Sequence, residues 1–186
     1  MGYKSFFWTL LTFPTFGLNL PQIFLPMADN KATPIPTLYE WAGGMPVFEN
    51  LFDKFYDKVL ADDILEPVFK HMSPQHRLHV AHFVAEVLGG PKVYSESEGD
   101  HFRMIQKHLQ KYLTETHRKH WMELLLQTAD ELSLPADPEF RSAFLAYLEW
   151  GTRIAVINSN TAEVTEDPNV PMPQWGWGVP GGPFMG

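Results

Sequence analysis

The sequence predicts an all-α fold, and three observations carry that prediction. From Thr37 to Asn160 apolar residues recur at helical spacing in segment after segment, no run alternates apolar and polar residues as a half-buried strand would, and glycine pairs and prolines fall where the segments start and stop. At 186 residues, with 45% apolar and 14% aromatic content, the chain suits one packed domain with appendages. The 14 basic and 22 acidic residues leave a net charge of −8, which argues against nucleic acid or an anionic membrane surface as partner. Cysteine is absent, so disulfides, thiolate catalysis, zinc–cysteine sites and iron–sulfur clusters are excluded.

Residues 1–36 form an apolar extension. No charge occurs between Ser5 and Ala28, but Pro14, Pro21 and Pro26 interrupt any continuous helix, so stable membrane insertion is not expected. The segment reads as an addition that packs on the domain or precedes an internal start at Met27, with a cleaved or anchoring segment as the alternative.

The domain proper spans 37–160. A short helix, TLYEW, stops at Gly43-Gly44, because glycine tolerates positive φ. Pro46 opens the next helix, whose Phe48, Leu51, Phe52, Phe55, Tyr56 and Val59 share one face. The link ADDILEPVFKHM is too short and too interrupted by Pro67 for a long helix, and it delivers Phe69 inward. Ser73-Pro74 is expected to cap a helix that ends at Gly89-Gly90-Pro91, with His76, Val80, Phe83, Val84 and Val87 on one stripe. A polar loop to about Asp100 follows. A short helix then places Met104, Ile105, His108, Leu109 and Tyr112 on one stripe. Thr114 starts a longer helix whose inner stripe is His117 or Trp121, then Leu124, Leu125, Thr128 and Leu132. Asp137-Pro138 starts the last, with Phe140, Phe144, Tyr147, Leu148 and Ile154 inward. Residues 161–186 form a Pro/Gly-rich tail that Trp175 and Trp177 could pin to the surface.

All eight histidines lie between His71 and His120, and two of them, His76 and His108, sit on apolar stripes. Two imidazoles facing one apolar space, with no thiol available, suggest a flat hydrophobic cofactor with a metal at its centre. A histidine on an apolar face is more often a satisfied structural residue, and that reading is applied to His101, His117 and His120. His79 and His82 continue a series with His76 round the helix and are read as a solvated face rather than a zinc site.

From Thr37 to about Asn160, roughly two thirds of its length, the chain resembles the truncated haemoglobins, specifically the bacterial group II type. The residues that carry the resemblance are Gly43-Gly44, Phe55-Tyr56, LEPVF at 65–69, Gly89-Gly90-Pro91 with Tyr94-Ser95, His108, and Trp121 thirteen residues later. It implies a two-over-two helical sandwich around haem b, with His108 as the iron ligand and Tyr56 and Trp121 as donors on the distal side. His76 would be a third donor, facing inward or swinging outward as a gate. Phe69, Val80 and Phe83 would line the pocket, Tyr112 would continue the proximal stripe, and Lys107 would lie near a propionate, as would His79 or Arg77. Phe69 stands where group II chains commonly carry a second tyrosine, and His76 where a small residue is frequent, so a hydroxyl lost at one wall is matched by an imidazole gained at another.

The function implied is cytoplasmic binding of O2 and other diatomics, NO and CO, at a pentacoordinate haem iron, by a monomer or homodimer. The alternative is a haem redox enzyme, with peroxidase-like or nitric-oxide dioxygenase turnover, which would need an external reductase. A non-haem, histidine-based metal binder is the third possibility. The chemistry favours the first, because a neutral imidazole can fix haem iron while leaving the opposite position open.

Overall fold

The computed structural model describes residues 34–163 and 167–178, so the expectations for residues 5–28 and for the end of the tail lie outside the described residues. Among those residues there is no strand, and eight helices form: α1 (Leu38–Ala42), α2 (Met45–Val59), α3 (Glu66–Phe69), α4 (His76–Val87), α5 (Val93–Ser97), α6 (His101–His108), α7 (Glu115–Glu131) and α8 (Pro138–Ser159). None is long and apolar enough to cross a membrane.

Local chemistry sets most of the boundaries. Thr37 accepts from the Glu40 N–H at 3.1 Å while the Glu40 carboxylate accepts from the Thr37 N–H at 2.8 Å, a reciprocal cap on a helix too short to persist alone. Gly43 ends α1 at φ 108°, where a Cβ would also meet the Val47 side chain at 2.9 Å. The side chains of Asp100, Thr114 and Asp137 accept the orphan N–H groups at the starts of α6, α7 and α8. Asp137 also accepts from the Trp41 indole N–H at 2.9 Å, joining α1 to α8.

The apolar face of α2 is buried in full, from Phe48 to Val59, because α2 packs on α4 on one side and α7 on the other. Since α7 in turn packs on α8, the four long helices form two pairs, the two-over-two arrangement that the family resemblance implied. Phe52, Phe55, Leu125, Phe140 and Phe144 fill the space between them and are fully shielded from water. At Gly89 the chain leaves α4 so close to α1 that a Cβ would lie 2.7 Å from that of Thr37, and the Tyr39 N–H donates to the Leu88 carbonyl at 3.0 Å.

Three boundaries depart from expectation. Ser73 does not cap α4 with its side chain; the helix starts at His76, whose N–H donates to the Ser73 carbonyl at 3.0 Å across a turn. The expected polar loop contains α5, which a propensity argument misses because tertiary bonds hold it. The buried Glu86 carboxylate accepts from both the Ser95 N–H (3.0 Å) and its hydroxyl (2.6 Å), and Tyr94 packs edge-on against Phe83. Finally, α6 stops at His108 rather than near Tyr112. Gln110 and Tyr112 both adopt positive φ, and Tyr112 is 66% exposed, so it does not extend the proximal stripe.

The tail is pinned as expected. The Trp175 indole donates to the Ala143 carbonyl at 3.1 Å and the Trp177 indole to the Pro36 carbonyl at 2.7 Å, while the Trp175 N–H satisfies the Val87 carbonyl at the end of α4.

Candidate functional site

The residues expected on the distal side come from four helices. Tyr56, on α2, is 2% exposed, and its hydroxyl lies 2.9 Å from the Nε2 of His76, the first residue of α4. The two share a hydrogen bond whose direction follows the imidazole tautomer. His76 is therefore turned into the domain rather than out as a gate. Phe69, delivered by α3, packs edge-on against Tyr56 at 5.7 Å and lies against His76 at 6.1 Å. Trp121, on α7, stands edge-on to Phe55 at 4.9 Å, and Phe55 in turn to Tyr56. Four of the predicted residues thus form one aromatic cluster.

Burial sets the protonation states of this cluster. It drives the Tyr56 hydroxyl well above the ordinary tyrosine value, with partial offset from the Trp121 indole N–H and the Arg77 charge. It pushes His76 down to about 4, helped by charge on His108, Lys107 and His79. At neutral pH the pair is a phenol and a neutral imidazole, one proton donor beyond their mutual bond.

His108 is the last residue of α6. Its Nδ1 donates to the Met104 carbonyl one turn earlier at 2.9 Å, which fixes the tautomer and leaves the Nε2 lone pair free. Burial lowers its pKa, partly opposed by the Met104 bond, and Lys111 and Lys107 lower it further, so the imidazole is neutral and able to coordinate. His108 lies within electrostatic reach of His76. A neutral, oriented imidazole with an open nitrogen, together with a cluster of phenol, indole and imidazole donors elsewhere in the same domain, is a donor set that suits a haem iron. Val80 and Phe83 are half-buried on α4 and pack against the core.

The other predicted residues divide. Lys107 is exposed and His79 half-buried, each within electrostatic reach of His76. Arg77 is committed elsewhere, donating to Asp57 at 2.6 Å and Asp53 at 3.1 Å and so clamping α4 to α2. His101, His117 and His120 have structural partners: the Pro171 carbonyl, the Thr114 N–H and the Asp62 carboxylate. His82 corrects the solvated-face reading. It is buried between Glu98 (2.6 Å) and Glu49 (3.2 Å), because α5 folds back over the face of α4 that a single-helix argument leaves to water. The Met104 carbonyl was not foreseen; its spacing of four before His108 was the available signal.

A helical domain of two packed pairs, carrying an oriented neutral imidazole and a buried donor cluster, has the character of a globin. The chain belongs to the bacterial-like globin family, whose model matches residues 37–150, and the cofactor of this family is haem b. Among curated proteins it is similar to a group 2 truncated hemoglobin of Bacillus subtilis, at 27% identity over 120 residues, covering 64% of this chain and 88% of the relative. It is also 33% identical over 85 residues to a group 1 truncated hemoglobin of Nostoc commune, covering 39% of this chain and 72% of the relative. Among solved structures, the group II truncated hemoglobin of Bacillus anthracis superposes with a TM-score of 0.61 at 26% identity, covering 72% of this chain and 98% of that one. The truncated oxygen-avid haemoglobin of Bacillus subtilis gives 0.58 at 26% identity, covering 65% and 99%.

Proposed function

We propose that this protein binds dioxygen, and with it NO and CO, at a pentacoordinate haem iron held by His108. Haem b, when bound, supplies an iron with one coordination position for a protein imidazole and one for an exogenous diatomic. The residues of this chain do the rest. His108 offers a neutral Nε2 whose direction is set by the Met104 carbonyl. Tyr56, His76 and Trp121 present hydroxyl, imidazole and indole donors to the opposite side, where a ligand that accumulates negative charge is stabilised by each charge-assisted hydrogen bond by roughly 1.5–3 kcal/mol. Phe55, Phe69, Val80 and Phe83 keep that side apolar and poor in water.

The observation that carries the reading is the Tyr56–His76 pair, 2.9 Å apart and turned into the domain, within electrostatic reach of a His108 whose Nδ1 is tied to the Met104 carbonyl. The oxygen avidity named for the Bacillus subtilis relative supports dioxygen as the ligand. Reconstitution of the full chain with haemin tests it. The expected result is one haem per chain, a ferrous spectrum of the five-coordinate type, and sharp shifts with CO and O2. No Soret band would sink the haem reading, and a ferrous spectrum with two histidine ligands would sink pentacoordination.

A further inference from the structure

The five residues after His108 are unusual. Leu109 turns the chain out of α6, Gln110 and Tyr112 adopt φ of 56° and 51°, and neither is a glycine. Left-handed conformations of such residues cost of order 1–3 kcal/mol each and persist only where surrounding contacts over-determine them. Those contacts come from the end of α8. The Ser159 carbonyl, unpaired within its own helix, accepts from the Tyr112 N–H at 3.0 Å. The Ser159 hydroxyl accepts from the Leu113 N–H at 3.0 Å and donates to the Val156 carbonyl at 2.8 Å. The Asn160 amide donates to the Leu113 carbonyl at 3.0 Å. Ser159 is wholly buried, so none of its bonds is exchanged with water.

We propose that Ser159, assisted by Asn160, is a positioning residue for His108: the end of α8 clamps the strained exit of the proximal helix and so steadies the backbone from which the Met104-bonded imidazole projects. The inference rests on the reading of His108 as the iron ligand. An eight-residue helix is too short to hold its own geometry, and His108 is its last residue, so the orientation of the ring depends on how the chain leaves it. Asp100 fixes the far end of α6; without the clamp, the near end would be free to fray.

The test uses the full chain with haem: wild type, Ser159→Ala, Ser159→Thr, Asn160→Ala and His108→Ala. Three quantities are read: the iron–histidine stretching band of the ferrous protein, the rate of haem loss to an excess of scavenger, and the thermal midpoint. Ser159→Ala should shift or broaden the band and speed haem loss roughly 5-fold, as expected for one buried hydrogen bond. Ser159→Thr, which keeps the hydroxyl, should restore both, and Asn160→Ala should move the band the same way by less. If Ser159→Ala and Asn160→Ala lower the midpoint but leave the band and haem loss at wild-type values, the residues are merely structural and the inference falls. If His108→Ala keeps haem and the band, the parent reading fails instead.

Discussion

The two sides of the candidate site are built in opposite ways. On the distal side, Tyr56 and Phe55 belong to the middle of the structure: they lie on the fully buried face of α2, and Trp121, Phe69 and His76 pack against them from three further elements. On the proximal side, His108 ends a two-turn helix whose only buried apolar residue is Ile105 and whose nearest long neighbour is α8. The groups that would read a ligand are thus fixed by the core itself. The group that would hold the cofactor is fixed by hydrogen bonds at the ends of its helix. Substitutions on the two sides should therefore differ in kind, with distal changes felt in ligand kinetics and proximal ones in haem retention.

The strongest break in that comparison is His108→Ala. It removes the imidazole nitrogen proposed to hold the iron. Stable haem retention should be lost, read as disappearance of the Soret band after gel filtration. Far-ultraviolet circular dichroism should change little, because α6 contributes one buried apolar residue to the core.

Next in size is a pH effect centred on His76, to which the lowered pKa of His108 adds in the same direction. Folding lowers the His76 pKa from the ordinary 6.5 to about 4, chiefly by burial, so as the pH falls the unfolded chain takes up this proton before the folded one does. The contribution of His76 to apoprotein stability is complete above about pH 6.5 and declines below it. By pH 4 the loss approaches about 3 kcal/mol. Denaturant titrations between pH 7 and pH 4 should show this slope, and His76→Phe should flatten it. A slope unchanged by the substitution would mean that the ring is open to solvent.

Tyr56→Phe and Trp121→Phe act on the same side with the core left in place. Each removes one donor and leaves an aromatic ring in its place, so each should speed O2 dissociation by about 10-fold to 150-fold, the kinetic equivalent of one charge-assisted hydrogen bond. Haem loss should stay near the wild-type rate. Stopped-flow displacement of O2 by CO measures the first and a haem scavenger the second. Unchanged O2 rates in both variants would remove these donors from the ligand.

The sequence makes the distal side the more legible of the two. Period 3.6 alone puts Phe55, Tyr56 and Val59 on one buried face, and the glycine pair and Pro46 mark where that helix starts. What periodicity cannot supply is the partner of a polar group. His82 reads as solvated until α5 is seen to cover it, and α5 reads as a loop because its order comes from Glu86 rather than from its own residues. The proximal side fails for a related reason. The apolar spacing of Met104, Ile105, His108 and Leu109 runs on naturally to Tyr112, but the chain has already turned at Leu109, held by α8 far away in sequence. Short helices governed by their ends are where local pattern says least.

The smallest effect separates helix ends that matter for the site from those that matter for the fold. Asp100 caps α6 by accepting from the Arg103 N–H at 2.7 Å, and Asp137 caps α8 by accepting from the Phe140 N–H at 2.9 Å. Either cap replaced by alanine costs about 1 kcal/mol by the general rule. At α8 the loss falls on a 22-residue helix in the core and also unpairs the Trp41 indole, so Asp137→Ala should lower the thermal midpoint by a few degrees and leave haem loss alone. At α6 the same loss falls on the eight residues that carry His108. Asp100→Ala should speed haem loss roughly 5-fold with little change in midpoint. Parallel scans of midpoint and haem loss for the two variants would reveal the crossover, and equal effects of both on both readouts would show that the proximal helix is as firmly tied to the core as the distal wall.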